Sequence, residues 1–287
     1  MKYNKILTAT LSHLPAETIR ELEAITQTIL ATGLAEQIIL FGSYARGDFK
    51  TKRGALQGKQ SDYDILVIVA EYTHCRELQH ALHSAFAHIA TPVQYIVEDS
   101  EFVNDKLKDG QYFFSDIKRE GKVLFDSGKI VLAEAQTLLP TRRREIAEKD
   151  FKEWYKSAEE FYIGHQDAYR RKFYKKASFE LQQCVEMCYT TLEMVYSHYN
   201  PHEHNLHILR KRVTQFTPQI TIPFPLATTR QQDLFEQLNF AYIGGRYRSD
   251  EEFPVTEAQL NYWREETEKL LAITKAICIN KIKSFTE

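Results

Sequence analysis

The sequence predicts an α/β half followed by an all-α helical half, and three observations support this division. Between residues 15 and 126, short apolar runs rich in isoleucine and valine alternate with helical patterns. Beyond about residue 130 these β-branched runs disappear. Long charged stretches with aromatic residues at three- and four-residue steps replace them. Strands that alternate with helices are typical of an α/β domain, whereas the second pattern is typical of an antiparallel helical bundle.

The first half contains the strand signals and four shorter helical patterns. Strands are predicted at residues 38–41, 62–69, 92–97 and 123–125, and helices at 15–31, 76–89, 100–107 and 111–120. The strand runs are short and apolar, while the helical segments repeat apolar residues at three- and four-residue steps. We expect these elements to form one domain over residues 1–126.

The second half carries longer helical patterns that proline residues separate. Aromatic residues and one alanine recur at helical spacing: Phe151, Trp154, Tyr155, Ala158, Phe161 and Tyr162. Further helices are predicted over residues 179–199 and 256–282. We place a basic linker that contains Arg142–Arg144 at residues 127–144, and the helical domain at residues 145–287.

The composition excludes several classes of protein. The chain has 287 residues and a net charge of −2, so it has no global basic field for bulk nucleic-acid binding. Its four cysteines, Cys75, Cys184, Cys188 and Cys278, form no CxxC pair, which predicts a reduced, cytoplasmic protein. No apolar run is long enough for a membrane span, so we expect no membrane partner.

The most informative feature is a glycine-serine turn followed by two carboxylates. The turn is Gly42–Gly47, with the sequence GSYARG, and the carboxylates lie in Ser61–Asp64, with the sequence SDYD. Because alternate residues of a strand share one face, Asp62 and Asp64 are predicted to project side by side. Two adjacent carboxylates repel each other, and a divalent cation such as Mg²⁺ removes this repulsion. The combination indicates chemistry on a nucleoside triphosphate.

Three residues of the turn suit phosphate binding. Glycine at position 42 permits close backbone approach, Ser43 donates a hydroxyl and an N–H, and the guanidinium of Arg46 matches phosphate geometry. A helix that begins at this turn would add the positive end of its dipole.

These motifs resemble the nucleotidyltransferase superfamily that includes polymerase beta and kanamycin nucleotidyltransferase, whose signature is GSxARG followed by an SDxD strand. The resemblance covers residues 15–125 and implies an α+β domain with a mixed sheet. It implies that Gly42 and Ser43 hold the phosphates and that Asp62 and Asp64 bind Mg²⁺. The implied reaction transfers a nucleoside monophosphate, AMP from ATP in our expectation, to an acceptor hydroxyl and releases pyrophosphate.

The family's third carboxylate is not obvious in this sequence. In the third strand, Gln94 and Ile96 share a face with Glu98, whereas Asp99 lies on the other face. We choose Glu98 as the catalytic group. In the alternative, Gln94 occupies the third position and the base is missing. The basic segment 48–60 between the motifs is interpreted as a solvated loop, with a phosphate-binding flap as the alternative.

The second half resembles a HEPN domain, an all-helical bundle often found beside a nucleotidyltransferase domain. The motifs are 179–184 (FELQQC), 204–209 (HNLHIL) and 245–248 (GRYR). Many HEPN ribonucleases carry an arginine with a histidine four to six residues later. Arg246 has no such histidine, which disfavours ribonuclease activity. We assign Arg246 to nucleotide binding, with capping of a helix that ends near Gly244 as the alternative.

Histidines are concentrated near Pro201. They are His198, His202, His204 and His207. Their spacing fits no compact tetrahedral zinc site, and a corner between two helices explains them better. His80 and His83, on a first-half helix, are expected at the surface.

The sequence therefore predicts a Mg²⁺-dependent nucleotidyltransferase fused to a HEPN-like domain, with a homodimer as a further expectation. The acceptor hydroxyl belongs to a small molecule, a protein or an RNA, and the sequence does not choose among them. Two alternatives stay open. One is a catalytically weak nucleotide-binding regulatory protein, and the other is a fused toxin–antitoxin-like module without nuclease activity.

Overall fold

The computed structural model describes residues 11–50, 61–86, 88–200 and 203–285. The chain divides into two compact units, Met1–Thr137 and Leu138–Glu287. No helix among the described residues is long and apolar enough to cross a membrane.

The first unit contains a four-stranded mixed sheet, which confirms that part of the prediction. Its strands are β1 (Ala35–Phe41), β2 (Tyr63–Val69), β3 (Val93–Asp99) and β4 (Lys122–Asp126). The strand order is β3-β2-β1-β4. β1 pairs antiparallel with both β2 and β4, whereas β2 and β3 are parallel. The antiparallel β1–β2 pair joins the end of β1 to the start of β2, where the two sequence motifs lie.

Five helices accompany this sheet in the described part of the first unit. They are α1 (Ala16–Leu30), α2 (Gly42–Arg46), α3 (Tyr72–Leu82), α4 (Ser100–Lys108) and α5 (Tyr112–Glu120). One sheet face packs on apolar residues of α1 and α3, and Tyr63 and Ile65 of β2 belong to that core. Because side chains alternate along a strand, Asp62 and Asp64 project from the opposite face.

The second unit is entirely helical among the described residues, as predicted. Its helices are α6 (Pro140–Arg170), α7 (Tyr174–Ser197), α8 (Leu206–Phe216), α9 (Thr229–Tyr247) and α10 (Glu257–Ser284), with a 3₁₀ turn at Pro218–Thr221. Helix α7 contacts all four other helices, and it is buried along most of its length. The core of the unit therefore forms around α7.

Several element bounds differ from the sequence prediction. Helix α3 begins at Tyr72 and ends at Leu82, because its buried side chains stop there and the chain turns. Helix α6 begins at Pro140, within the stretch predicted as a linker. Helix α9 continues past Gly244 to Tyr247. The sequence prediction gave no bounds for α8 and no start for α9.

Candidate functional site

The glycine-serine turn lies directly against one of the two aspartates. Phe41, the last residue of β1, pairs with Asp64 of β2. The next residue, Gly42, has a φ of +70°, which favours glycine. A Cβ atom on Gly42 would overlap Oδ2 of Asp64 and lie 3.1 Å from its Cγ. Only glycine therefore lets the backbone of the turn approach this carboxylate without displacing it.

The two aspartates are both buried, with 6% of each residue exposed. Asp64 lies within β2, whereas Asp62 immediately precedes the first residue of that strand. Their alternate positions place both carboxylates on the same sheet face. Among the described residues, no group of three or more histidine, cysteine, aspartate or glutamate side chains forms a complete metal site. Two oxygen-donor side chains on one sheet face, one of them against the glycine-serine turn, suit Mg²⁺ whose remaining ligands are phosphate oxygens and water.

Tyr63, between the two aspartates, anchors the start of β2. Its hydroxyl donates to Oε2 of Glu21 on α1 at 2.7 Å, and Thr91 Oγ1 donates to the same oxygen at 2.9 Å. Its backbone N–H donates to the carbonyl of Pro92 at 2.9 Å. Burial, and then the Glu21 carboxylate, raise the pKa of Tyr63 above its usual range, so the phenol keeps its proton and remains a donor. Asp62 immediately precedes Tyr63 and lies outside the strand. The hydrogen bonds of Tyr63 therefore fix the position of the backbone next to Asp62.

Sequence reasoning did not find this anchor. Tyr63 looked like an ordinary core residue, and Glu21 lies more than forty positions earlier in the chain. The available signal was the position of the tyrosine between the two aspartates. Alternation places its side chain on the opposite sheet face, and a buried phenol there usually requires a hydrogen-bond acceptor.

The structure places Gln94, and not Glu98, beside Asp64. In the parallel pairing of β2 with β3, Asp64 is opposite Gln94, whereas Glu98 is opposite Ile68. Glu98 is four residue steps along the strand from the level of Asp64, which corresponds to about 13 Å. The register therefore does not bring Glu98 together with the aspartates, and the choice of Glu98 as third carboxylate needs correction. Asp99 accepts a hydrogen bond from the backbone N–H of Phe102 and caps α4.

Ser43 and Arg46 both lie in the five-residue helix α2. The carbonyl of Ser43 accepts hydrogen bonds from the N–H groups of Gly47 and Asp48, at 2.9 and 3.1 Å. Arg46 is exposed and forms an ion pair with Asp48 at 3.4 Å. An exposed ion pair of this kind is weak, so the guanidinium is able to turn toward a phosphate.

Of the basic segment 48–60 predicted between the two motifs, the structure describes only residues 48–50. Lys50 N–H donates to Ser61 Oγ at 2.9 Å, and Ser61 N–H donates to the Lys50 carbonyl at 2.9 Å. These two bonds join Lys50 to Ser61, the residue immediately before Asp62. Lys52, Arg53 and Lys59 lie outside the described residues, and the choice between loop and flap stays a prediction.

Arg246 in the second unit stacks on an aromatic ring. Its Nε donates to the carbonyl of Tyr242 at 2.8 Å, and its guanidinium carbon lies 3.9 Å from the centroid of the Tyr242 ring. This bond runs to a carbonyl one turn earlier within α9 and not to one of the last four carbonyls of the helix, so capping by Arg246 stays a prediction. The assignment of Arg246 to nucleotide binding stays a prediction.

His204 stacks on the same tyrosine, with ring centroids 4.4 Å apart. His204 and Arg246 therefore both contact the ring of Tyr242. His204 Nδ1 lies 2.9 Å from Oε1 of the buried Glu186 on α7, which orients the imidazole. The search for a histidine downstream of Arg246 missed this arrangement, because His204 comes from the segment before α8.

The described histidines near residue 201 each contact a different carboxylate. His198 Nδ1 lies 2.5 Å from Asp150, and His207 Nε2 lies 2.7 Å from Glu236. With His204 on Glu186, each of the three has its own structural role. His202 lies outside the described residues. His80 and His83 are exposed, as expected.

Comparison with known proteins identifies one of the two units. A family model described as HEPN domain matches residues 151–280. No curated protein matches the chain. The matched stretch runs from within α6 to within α10 and contains the Glu186–His204 and Tyr242–Arg246 contacts. Residues 151–280, within the second unit, are thus a HEPN domain, which confirms the resemblance drawn from the sequence motifs there.

Proposed function

We propose that the chain is a Mg²⁺-dependent nucleotidyltransferase that moves a nucleoside monophosphate, AMP from ATP, to an acceptor and releases pyrophosphate. The observation that carries this proposal is the approach of the Gly42 backbone to the Asp64 carboxylate. A turn able to receive phosphate oxygens and a carboxylate able to hold a cation are adjacent through the register of one strand pair. The mixed sheet agrees with the nucleotidyltransferase resemblance of the two motifs.

Each side chain has a defined role in this proposal. Asp62 and Asp64 hold the Mg²⁺ ion, and their burial strengthens the attraction between carboxylate and cation. A Mg²⁺ ion held there would supply positive charge to offset that of the phosphates. Gly42 and Ser43 receive phosphate oxygens through the backbone turn and the serine hydroxyl, and Arg46 adds a guanidinium.

The HEPN domain is proposed to mediate contact with a partner, including a second copy of the chain. Its exposed side chains on α9 include Phe240, Ile243 and Tyr247. Aromatic residues and arginine are enriched in protein interfaces, and Arg246 lies among these three. Size-exclusion chromatography with light scattering tests whether the full chain is a dimer.

The proposal is tested by pyrophosphate release from ATP with Mg²⁺ and a panel of acceptors. Asp62→Asn and Asp64→Asn each remove a cation ligand with little change in volume, and we expect each to lower the rate at least about 100-fold. Glu98→Gln is the matched control, because it neutralises a carboxylate of the same sheet about 13 Å away. We expect it to keep the rate within about twofold. Equal rates in the Asp64→Asn variant and the parent would show that the cation site is wrongly assigned.

A second candidate function is regulatory: the protein would bind a nucleotide without catalysing its transfer. The observation in its favour is the amide of Gln94 at the level of Asp64, where a catalytic carboxylate is expected from the resemblance. Calorimetry distinguishes the two functions. Tight Mg²⁺-dependent ATP binding without pyrophosphate release across the acceptor panel supports the regulatory role.

A further inference from the structure

We infer that the acceptor of this site carries an attacking oxygen that is already ionised at neutral pH, as a phosphate monoester does, and that Gln94 favours such an acceptor. This inference rests on the proposed nucleotidyl transfer and names the class of its second substrate.

The position of Gln94 is the first step. Residues opposite each other in a parallel strand pair project from the same face, and neighbouring strands lie about 4.8 Å apart. Gln94 is opposite Asp64, so its side chain projects from the same sheet face at the level of that carboxylate. Glu98 lies about 13 Å further along the same strand. The segment 51–60 contains no aspartate or glutamate in its sequence, so it supplies no carboxylate to this space.

The chemistry of the amide is the second step. An aliphatic hydroxyl is protonated at neutral pH and requires a general base, which typically contributes about 10²–10⁴-fold to the rate. A neutral amide cannot accept that proton. A phosphate monoester has its second pKa near 6, so its attacking oxygen is largely ionised at pH 7 without a base. The amide NH₂ group donates a hydrogen bond to such an oxygen, whereas a carboxylate at the same position would repel it.

The reaction balances without a proton acceptor. The ionised acceptor oxygen attacks the α-phosphorus of the nucleoside triphosphate and forms a new oxygen–phosphorus bond. The bond between the α-phosphorus and the bridging oxygen to the β-phosphate breaks, and pyrophosphate leaves with that electron pair. The product from a phosphate monoester is a phosphoanhydride, and no proton has to be removed from the acceptor.

The test uses the full chain, [α-³²P]ATP, Mg²⁺ and two acceptor probes, phenyl phosphate and glycerol. We expect labelled product with phenyl phosphate and at least about 100-fold less with glycerol. Gln94→Glu introduces a base and a negative charge. It is expected to raise transfer to glycerol at least about tenfold and to lower transfer to phenyl phosphate by a similar factor. Gln94→Ala introduces no charge and is expected to retain the preference for phenyl phosphate at a reduced rate.

A binding measurement and a folding control accompany these assays. Calorimetric titration with phenyl phosphate is expected to show at least about tenfold weaker binding to Gln94→Glu than to the parent. Thermal melting verifies that both variants are folded. If Gln94→Glu does not fold, the acceptor preference of Gln94→Ala still decides the test. Preferential transfer to glycerol by the parent overturns this inference and leaves the proposed function intact. No transfer to either probe overturns the inference, and no transfer to any acceptor in the wider panel overturns both.

Discussion

Substitution of Gly42 by alanine tests the geometry at the centre of the candidate site. Gly42 has a positive φ, and its added Cβ atom would overlap Oδ2 of Asp64. The change therefore introduces backbone strain and displaces a proposed cation ligand. Gly33 offers a matched control, because its φ is +73° and an added Cβ atom would have no neighbour within 4 Å.

The expected magnitudes differ between stability and function. The left-handed conformation costs an alanine about 1–2 kcal/mol, so both variants should lose this much free energy of unfolding. In Gly42→Ala, the Asp64 carboxylate must also withdraw by about 1 Å to reach ordinary contact with the new methyl group. A rotated aspartate adds only about 1 kcal/mol to the loss of stability. A displacement of about 1 Å in a catalytic geometry costs about 100-fold in rate.

Urea denaturation and ATP turnover measured on the same preparations separate the two effects. We expect Gly33→Ala and Gly42→Ala both to unfold at lowered urea concentrations, with Gly42→Ala less stable by only about 1 kcal/mol more. Only Gly42→Ala should lose about two orders of magnitude in pyrophosphate release and bind Mg²⁺–ATP more weakly in calorimetry. If Gly42→Ala binds and turns over the nucleotide as Gly33→Ala does, the contact between the turn and Asp64 has no role in the site.

Three further substitutions test other parts of the structure. Tyr63→Phe removes the hydrogen bond to a carboxylate on α1 and should lower the free energy of unfolding by about 1–2 kcal/mol in urea titrations, whereas an unchanged midpoint contradicts the anchor. Burial lowers the pKa of His165 in the folded protein. Above about pH 6.5 its imidazole is neutral in both the folded and the unfolded state, and below that pH the unfolded state takes up a proton more readily. Stability should fall as the pH drops through this window, and His165→Gln should flatten that dependence in melts between pH 7.5 and 5. Gly245→Ala should destabilise by about 1–3 kcal/mol, because its Cβ atom would lie 2.6 Å from that of Phe179. Gly164→Ala is its control, since it meets only the flexible end of a carboxylate side chain, and equal effects would contradict the close packing of α7 against α9.

Much of the architecture was predictable because hydrophobic periodicity reports local structure directly. The apolar runs that became β1, β2 and β3 and the helical repeats of the second half each follow from the side chains of one segment. The early end of α3 was not predictable in this way. Ala85, Phe86 and Ile89 extend the apolar pattern beyond Leu82, but the chain turns there to reach β3.

The candidate site was predictable only where its residues are close in sequence. The turn at Gly42 and the pair Asp62 and Asp64 form local motifs, and their placement on one strand pair follows from alternation. The neighbour of Asp64 on β3 depends on the register between two strands, which no local pattern specifies. Gln94 and Glu98 share one face of that strand, so sequence parity alone could not separate them.

A crystal structure of the full chain with a non-hydrolysable ATP analogue and Mg²⁺ tests the central claim most directly. The account predicts a cation bound by Asp62 and Asp64, triphosphate oxygens against the backbone of Gly42 and Ser43, and Gln94 outside the coordination sphere. Glu98 should lie about 13 Å along β3 from the level of Asp64. A triphosphate bound elsewhere, with neither aspartate on the cation, would contradict the account.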